Sequence, residues 1–411
     1  MSDERELLIA RVGAQGDGVA ETADGAVFVP FTLAGEKILA DVSGDRGRLV
    51  RILDPSPSRI EPVCRHFGAC GGCSVQHMSP DIYRNWKRDS VTSAFQARGL
   101  DVVPGELIET GGKRRRAVFS VERTGTGIVV VGYHEAASHA LVAIEMCPVL
   151  DNAIVAALPS LTTLIAPLVS RRGEARLTVT LTKSGLDVHL DGVERRLSPD
   201  VRSRLAVEAS ALRLARLSVG HEIVVETLPP FLSFGAAEVV LPPASFVQAV
   251  AEAENAIAQQ VVAAVGKAKS VADLFCGVGA FTFPLARRAK VLAFDGNKAA
   301  VEALAAAAKK ATGLKPITAH VRDLFREPLS PLELNEHDAI VFDPPRAGAD
   351  AQAQRLAKSK VKTVVGVSCN PATLARDARH LVDGGYKIDS VTPVDQFVYS
   401  AHVEVVAVFL R

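Results

Sequence analysis

Val364-Val365-Gly366-Val367-Ser368-Cys369-Asn370-Pro371-Ala372-Thr373 reads as a buried strand that runs into a turn and then a helix. The β-branched residues of 364–367 favour an extended, buried backbone. Ser-Cys-Asn-Pro stops that strand, and 373–381 carries a helical pattern. Cys369 therefore sits at the carboxyl end of a strand, where open α/β sheets bind their ligands. A free cysteine is more often a small core residue than a nucleophile. The role of Cys369 depends on its surroundings.

Working outward, the same grammar recurs upstream. Pro242-Pro243-Ala244-Ser245-Phe246-Val247-Gln248 opens a new regime, and a long Ala/Val/Glu helix runs from there to about Val265. A strand over 270–275 leads into Cys276-Gly277-Val278-Gly279-Ala280-Phe281, with a helix over 281–288. Glycines in such a turn let the backbone approach a nucleotide-like ligand at a helix start. A dinucleotide fold reads similarly. Asp273-x-x-Cys276-Gly277-x-Gly279 is the S-adenosylmethionine version of the turn. Asp295 ends the next strand (291–294) and is placed to bind ribose hydroxyls. Asp323 follows the strand after it, and Asp343-Pro344-Pro345-Arg346 follows 339–342. Aspartates at three successive strand ends are hard to explain as core residues. The fold class expected for 241–411 is a Rossmann-like α/β domain.

The amino-terminal part reads differently. Short strands over 7–12, 25–29, 36–42 and 47–52, separated by turn residues, suggest a small barrel over 1–54. Asp54-Pro55-Ser56-Pro57-Ser58 has the composition of a linker. Cys64, Cys70 and Cys73 then lie in Cys-Arg-His-Phe-Gly-Ala-Cys-Gly-Gly-Cys, and Cys147 stands before a proline. Four cysteines in a cytoplasmic chain imply a metal site more readily than disulfides. Zinc and an iron–sulfur cluster both take four thiolates, and three clustered cysteines with a distant fourth favour a 4Fe–4S cluster. His66 and His77 read as loop residues rather than ligands. An amphipathic helix over 81–100 carries the single tryptophan, Trp86. Strands are expected over 117–121, 127–133, 141–144, 175–181, 185–190 and 222–227. The stretch 55–240 is thus a central α+β domain in which 150–240 shows no catalytic constellation.

A chain of 411 residues has room for two or three domains. No stretch has the roughly 18 uninterrupted apolar residues of a membrane span, and the charged start has no apolar signal core behind it. The expectation is a cytoplasmic monomer with no membrane partner. A net charge of +1 does not advertise a nucleic-acid binder. Residues 1–54 carry six Lys/Arg against ten Asp/Glu, whereas 55–120 carry ten against six. The run Lys113-Arg114-Arg115-Arg116 falls in the second group, and could face phosphates or be an ordinary solvated surface.

Taken together, Ser245-Phe246-Val247-Gln248, Asp273-Leu274-Phe275-Cys276-Gly277-x-Gly279, Asp343-Pro344-Pro345-Arg346, Ser368-Cys369-Asn370-Pro371-x-Thr373, His402-x-Glu404 and the four-cysteine spacing resemble the RNA uracil-5 methyltransferase family. The match is to its branch with an iron–sulfur cluster and an OB-like TRAM domain, the bacterial 23S rRNA 5-methyluridine methyltransferases. That resemblance implies an S-adenosyl-L-methionine site formed by Gln248, Phe275, Ala280, Asp295, Asp323 and Asp343. It implies Cys369 as nucleophile, Glu404 as general base, and a 4Fe–4S cluster on Cys64, Cys70, Cys73 and Cys147. The RNA partner it implies is 23S rRNA, with tRNA as the alternative. Two departures stand out. Ala280 replaces an Asn common in relatives, and Asp395-Gln396-Phe397-Val398-Tyr399-Ser400 replaces the usual Asp-x-Phe-Pro-x-Thr.

Overall fold

A computed structural model of the chain describes residues 3–136, 138, 140–170, 173–193 and 197–411. Among these, the strands gather into three large sheets and one hairpin.

Residues 3–54 form a six-stranded sheet around Leu7, Ile9, Val27, Val29, Ile38 and Ala40. Two strands differ from the sequence reading. Gly18–Thr22 is a strand in its own right, and the stretch 7–12 breaks into Asp3–Leu8 and Arg11–Val12. The break falls where the chain changes partner: the Ile9 amide still donates to Glu36 O at 2.9 Å, and the next, Ala10 N, donates to Val19 O at 2.8 Å.

The central sheet has seven strands, ordered Leu141–Ala143, Val129–His134, Arg116–Arg123, Ala175–Thr182, Gly185–Asp191, Arg216–Val219 and Glu222–Glu226. Helices Asn152–Ile165 and Pro199–Ala211 contribute Ile154, Leu158, Leu161, Leu205 and Ala209 to its core. A buried fork of Arg216 on Asp187, at 2.9 and 2.7 Å, fixes one end of this sheet.

The third sheet carries the site. Its eight strands run in the order Ile317–Val321, Lys290–Asp295, Ser270–Leu274, Ala339–Phe342, Thr363–Ser368, Glu404–Leu410, Lys387–Asp395 and Ile108–Glu109. The first five are parallel; Glu404–Leu410 is antiparallel to both neighbours. Ala339–Phe342 is buried at every position, as the apolar run of a doubly covered strand requires. Chain order reverses on either side of Ser270–Leu274. That reversal is the topological switch point, and its crevice opens beyond the carboxyl ends of the strands.

Helix Pro80–Gln96 ties the parts together. Its Trp86 donates from Nε1 to Gly13 O of the first sheet at 3.0 Å. Its Val91 and Phe95 enter the core of the third. Among the described residues no helix is long and apolar enough to cross a membrane.

Candidate active site

Cys369 is the first residue beyond strand Thr363–Ser368. Asn370 caps the following helix, Pro371–Asp383, by accepting from Ala372 N at 3.1 Å. Asn370 Nδ2 and Thr373 Oγ1 both donate to Arg346 O, at 3.2 and 3.3 Å. The Ser-Cys-Asn-Pro-x-Thr turn thereby grips the Asp-Pro-Pro-Arg turn of the next strand. Gly366 permits the packing beneath it, because a Cβ there would lie 2.7 Å from the Phe342 ring.

Antiparallel register brings in Glu404. Ser368 pairs with Val405, so the start of strand Glu404–Leu410 lies at the same sheet end as Cys369. Glu404 is buried, and burial pushes its carboxyl up to about 7 despite a hydrogen bond from Gln396 that holds it down. Burial also raises the Cys369 thiol, to about 11. The nearby Glu404 and Asp343 charges add to that rise, and Arg346 opposes it. Asp343 is raised by burial first, then by Glu404 and Asp273.

A line of side-chain amides joins the two carboxylates. Gln248 Nε2 donates to Asp343 Oδ2 at 3.1 Å. Gln396 Nε2 donates both to Gln248 Oε1 at 2.7 Å and to Glu404 Oε2 at 2.5 Å. Gln396 escaped the sequence reading. A buried glutamine in an irregular loop leaves no periodic signal.

The Gly-rich turn fills the switch point. Phe275 takes a left-handed backbone, φ 61°, as do Gly277 and Gly279 at 52° and 99°. A non-glycine residue held there is strained, and such strain gathers at functional sites. Asp295 binds the turn directly: its Oδ2 accepts from Gly277 N at 2.9 Å and its Oδ1 from Asn297 N at 2.7 Å. A carboxylate has about four lone-pair sites, so two remain for ligand hydroxyls. Asp323 accepts from Phe325 N at 3.0 Å, and the Phe325 ring lies 5.3 Å from that of Phe275. Ala280 packs by its methyl against apolar neighbours and offers no polar contact. Asp273 faces inward beneath the turn, accepting from Thr282 Oγ1 at 2.5 Å. Its other oxygen is buried without a partner among the described residues. Cys276 is buried in the turn, its thiol raised chiefly by that burial.

Phe246 belongs to the Ser-Phe-Val-Gln motif, but the sequence assigns it no role. It is 73% exposed, two positions before Gln248, with the Arg116 guanidinium 5.9 Å over its ring. The basic run turns inward onto this region. Arg115 donates to Glu254 at 2.8 Å and to Gln248 O at 3.2 Å, Arg116 donates to Ser245 O at 3.1 Å, and Arg114 stacks 5.6 Å from the Phe397 ring. Lys113 is the exposed member, donating to Asn152 Oδ1 at 2.6 Å. The loop 396–403 is anchored from behind. Lys87 and Tyr83 reach Asp395, Lys87 also reaches Phe397 O at 3.2 Å and His402 O, and Tyr399 O accepts from Ser74 N and Val75 N at 2.8 and 3.2 Å.

Those two amides immediately follow Cys73. Cys64, Cys70, Cys73 and Cys147 are all free and half-buried. Their charges are felt mutually: Cys147 and Cys64 at Cys70, and Cys147 and Cys70 at Cys73. Amide N–H groups point at the sulfurs, Gly72 at Cys70 Sγ (3.4 Å) and Val149 and Leu150 at Cys147. Among the described residues these thiols do not form a group with three ligand atoms within 4.8 Å of one another. Among the described residues the group with three ligand atoms within 4.8 Å of one another is Glu122, His134 and Glu174, near the surface of the central sheet.

Residues 212–411 match the family described as tRNA (Uracil-5-)-methyltransferase. An uncharacterized RNA methyltransferase of Caulobacter vibrioides is 48% identical over 417 residues, covering 99% of this chain and 100% of that one. The 23S rRNA (uracil(1939)-C(5))-methyltransferase RlmD of Halomonas elongata is 33% identical, covering 97% of this chain and 88% of that one. In three dimensions, the Pyrococcus abyssi tRNA (uracil-54, C5)-methyltransferase, solved with S-adenosyl-L-homocysteine, matches with a TM-score of 0.75 at 22% identity, over 99% of this chain and 100% of that one.

Proposed function

The chain belongs to the RNA uracil-5 methyltransferase family, S-adenosyl-L-methionine-dependent enzymes, and from that premise we propose that it methylates carbon 5 of a uridine in 23S rRNA through a covalent adduct on Cys369. The observation that carries the reading is the meeting of Cys369 and Glu404 at one sheet end, beside the Gln248–Asp343 pair.

Carbon 5 of uracil is too weak a nucleophile to take a methyl group from a sulfonium unaided. In this reading the Cys369 thiolate adds to carbon 6, and the ring electrons move onto oxygen 4 as an enolate. Covalent catalysis of this kind divides one hard step into easier ones. Carbon 5 then takes the methyl; the carbon–sulfonium bond breaks and S-adenosyl-L-homocysteine leaves. Glu404 removes the carbon 5 proton, the carbon 5–carbon 6 double bond reforms, and the thiolate departs. Arg346, the cation felt at Cys369, is the candidate to face the enolate. A thiol at about 11 is mostly protonated near neutral pH. The donor's sulfonium supplies the missing positive charge among Asp343, Glu404 and Asp273. Addition is then favoured only once the donor is bound.

Phe275, Asp295 and Asp323 hold the donor in this scheme, with Gln248 and Asp343 beside its reactive end. Phe246 offers an exposed ring on which an unstacked base can rest, as bases in RNA loops do on aromatic side chains. Four thiolates serve either zinc or a 4Fe–4S cluster, and three clustered cysteines with a distant fourth favour the cluster in this reading. N–H groups aimed at the sulfurs suit a cluster as well. When bound, a 4Fe–4S cluster supplies a redox-active cross-link between the 64–73 loop and Cys147.

The 23S rRNA assignment rests on the 33% identity to RlmD. Mass-spectrometric mapping of 5-methyluridine in total RNA from a deletion strain tests it. Loss of one modified uridine from 23S rRNA is expected, and loss from tRNA instead would move the substrate there.

A further inference from the structure

We propose that Gln396 is a positioning residue that keeps Glu404 ionised and aimed during release of the methylated base. The proposal rests on the catalytic reading above.

Gln396 is 1% exposed and follows strand Lys387–Asp395, whose Val394 pairs with Glu404. Both of its amide contacts are donations, one to Glu404 and one to Gln248. Its Oε1 is buried without a partner among the described residues. The side chain is therefore not satisfying itself. It is turned so that its N–H groups serve two acceptors at the expense of its own oxygen. Gln248 passes the same polarity on to Asp343. Each end of the line donates to a carboxylate, Glu404 and Asp343, and a carboxylate accepts such bonds best when ionised.

The surroundings otherwise push Glu404 toward its neutral form. Asp343 lies beyond one strand and Cys369 beyond the next, with Arg346 acting on that thiol. Asp395 sits behind on the flanking strand, but Lys87 engages it at 3.1 Å. Glu254 on helix Ala251–Val265 is engaged by Arg115 at 2.8 Å. Gln396 is the hydrogen-bond donor that acts on Glu404 against its burial. Position 396 is the unrestricted x of Asp-x-Phe-Pro-x-Thr, from which this chain's loop departs at Val398 and Ser400.

The sign follows directly. A base works ionised, so release should speed up as pH rises through the pKa of Glu404. Removing the donor raises that pKa and moves the acid limb of the profile to higher pH.

The test compares the parent protein with Gln396→Met, which keeps length and removes both donors, and Gln396→Glu, which adds a third acid. The first probe is 23S rRNA from the deletion strain; the second is an RNA carrying 5-fluorouridine at the modified position. Fluorine cannot be taken from carbon 5 as a proton is, so the second probe stops at the methylated adduct and reads addition and transfer alone. Gln396→Met should shift the acid limb of turnover upward by about one pH unit, lowering turnover below it about tenfold. Adduct formation on the fluorinated RNA should stay within about threefold of the parent. Gln396→Glu should shift the limb in the same direction, which keeps the test alive if the Met variant does not fold. An unshifted profile in a folded variant overturns the role of Gln396. A parent protein that forms no adduct on the fluorinated RNA overturns the catalytic reading instead.

Discussion

Cys369 and Glu404 lie opposite one another across an antiparallel pair, one step outside the Ser368–Val405 register. Thirty-five positions of chain separate them, yet the last strand brings the carboxylate back beside the thiol because it is inserted antiparallel between its neighbours. A parallel strand in that place would have put Glu404 at the far end of the sheet.

Cys369→Ala should lower turnover by at least about a thousandfold, since it removes the only bond the enzyme makes to the ring. Donor affinity should change little, because Phe275, Asp295 and Asp323 lie at or just beyond the ends of other strands. Cys276 is the control: it is buried in the Gly-rich turn, so Cys276→Ala should alter donor affinity or stability and retain chemistry. Turnover by the Cys369 variant alongside an inactive Cys276 variant would reverse the assignment. Calorimetric titration with S-adenosyl-L-homocysteine and a methyl-transfer assay give both readouts.

Alkylation of Cys369 by a small reagent should respond to the donor's charge. The free thiol is pushed up to about 11, so its reaction should climb steeply with pH in the alkaline range. S-adenosyl-L-methionine brings a cation and should move that climb to lower pH, whereas neutral-sulfur S-adenosyl-L-homocysteine should not. Equal midpoints with the two ligands would show that the sulfonium does not help form the thiolate.

Much of this centre could be read from sequence because its parts are local. The Gly-rich turn, the aspartates at strand ends and the Ser-Cys-Asn-Pro stop each declare themselves within a few residues. Glu404 did not: in the alternating run 401–408 it looks like a surface carboxylate, and it entered only through the family resemblance. Gln396 was invisible because its meaning lies in bonds to Gln248 and Glu404, which are 148 and 8 positions away. The basic run 113–116 was open between an RNA-facing patch and plain surface. Its three arginines turn inward because carbonyls, Glu254 and two aromatic rings lie within reach. Strand Gly18–Thr22 was hidden by the turn residues at its start.

Lys87→Met should destabilise the protein by about 3 kcal/mol or more, measured by equilibrium urea denaturation. Lys87 is fully buried and joins Asp395 to the carbonyls of Phe397 and His402. Removing one partner of a buried pair strands the other charge. A loss below about 1 kcal/mol would mean that the helix Pro80–Gln96 does not hold the 396–403 loop.

Protein purified without oxygen should carry about four irons and a broad visible absorbance that bleaches in air. Cys147→Ala should abolish both as thoroughly as Cys70→Ala, although Cys147 lies far along the chain. Stoichiometric zinc without iron would contradict the cluster.

The central claim is that the base acts after the methyl has moved, and Glu404→Gln isolates that moment. The variant keeps size and polarity but cannot accept the carbon 5 proton, so addition and transfer should proceed and release should stall. Incubated with S-adenosyl-L-methionine and 23S rRNA from the deletion strain, it should form an RNA–protein species that survives denaturing electrophoresis. Mass spectrometry should find a methylated uracil bonded to Cys369, and the species should be absent from the double variant with Cys369→Ala. Multiple turnover by Glu404→Gln at the parent rate, with no trapped species, would contradict the account.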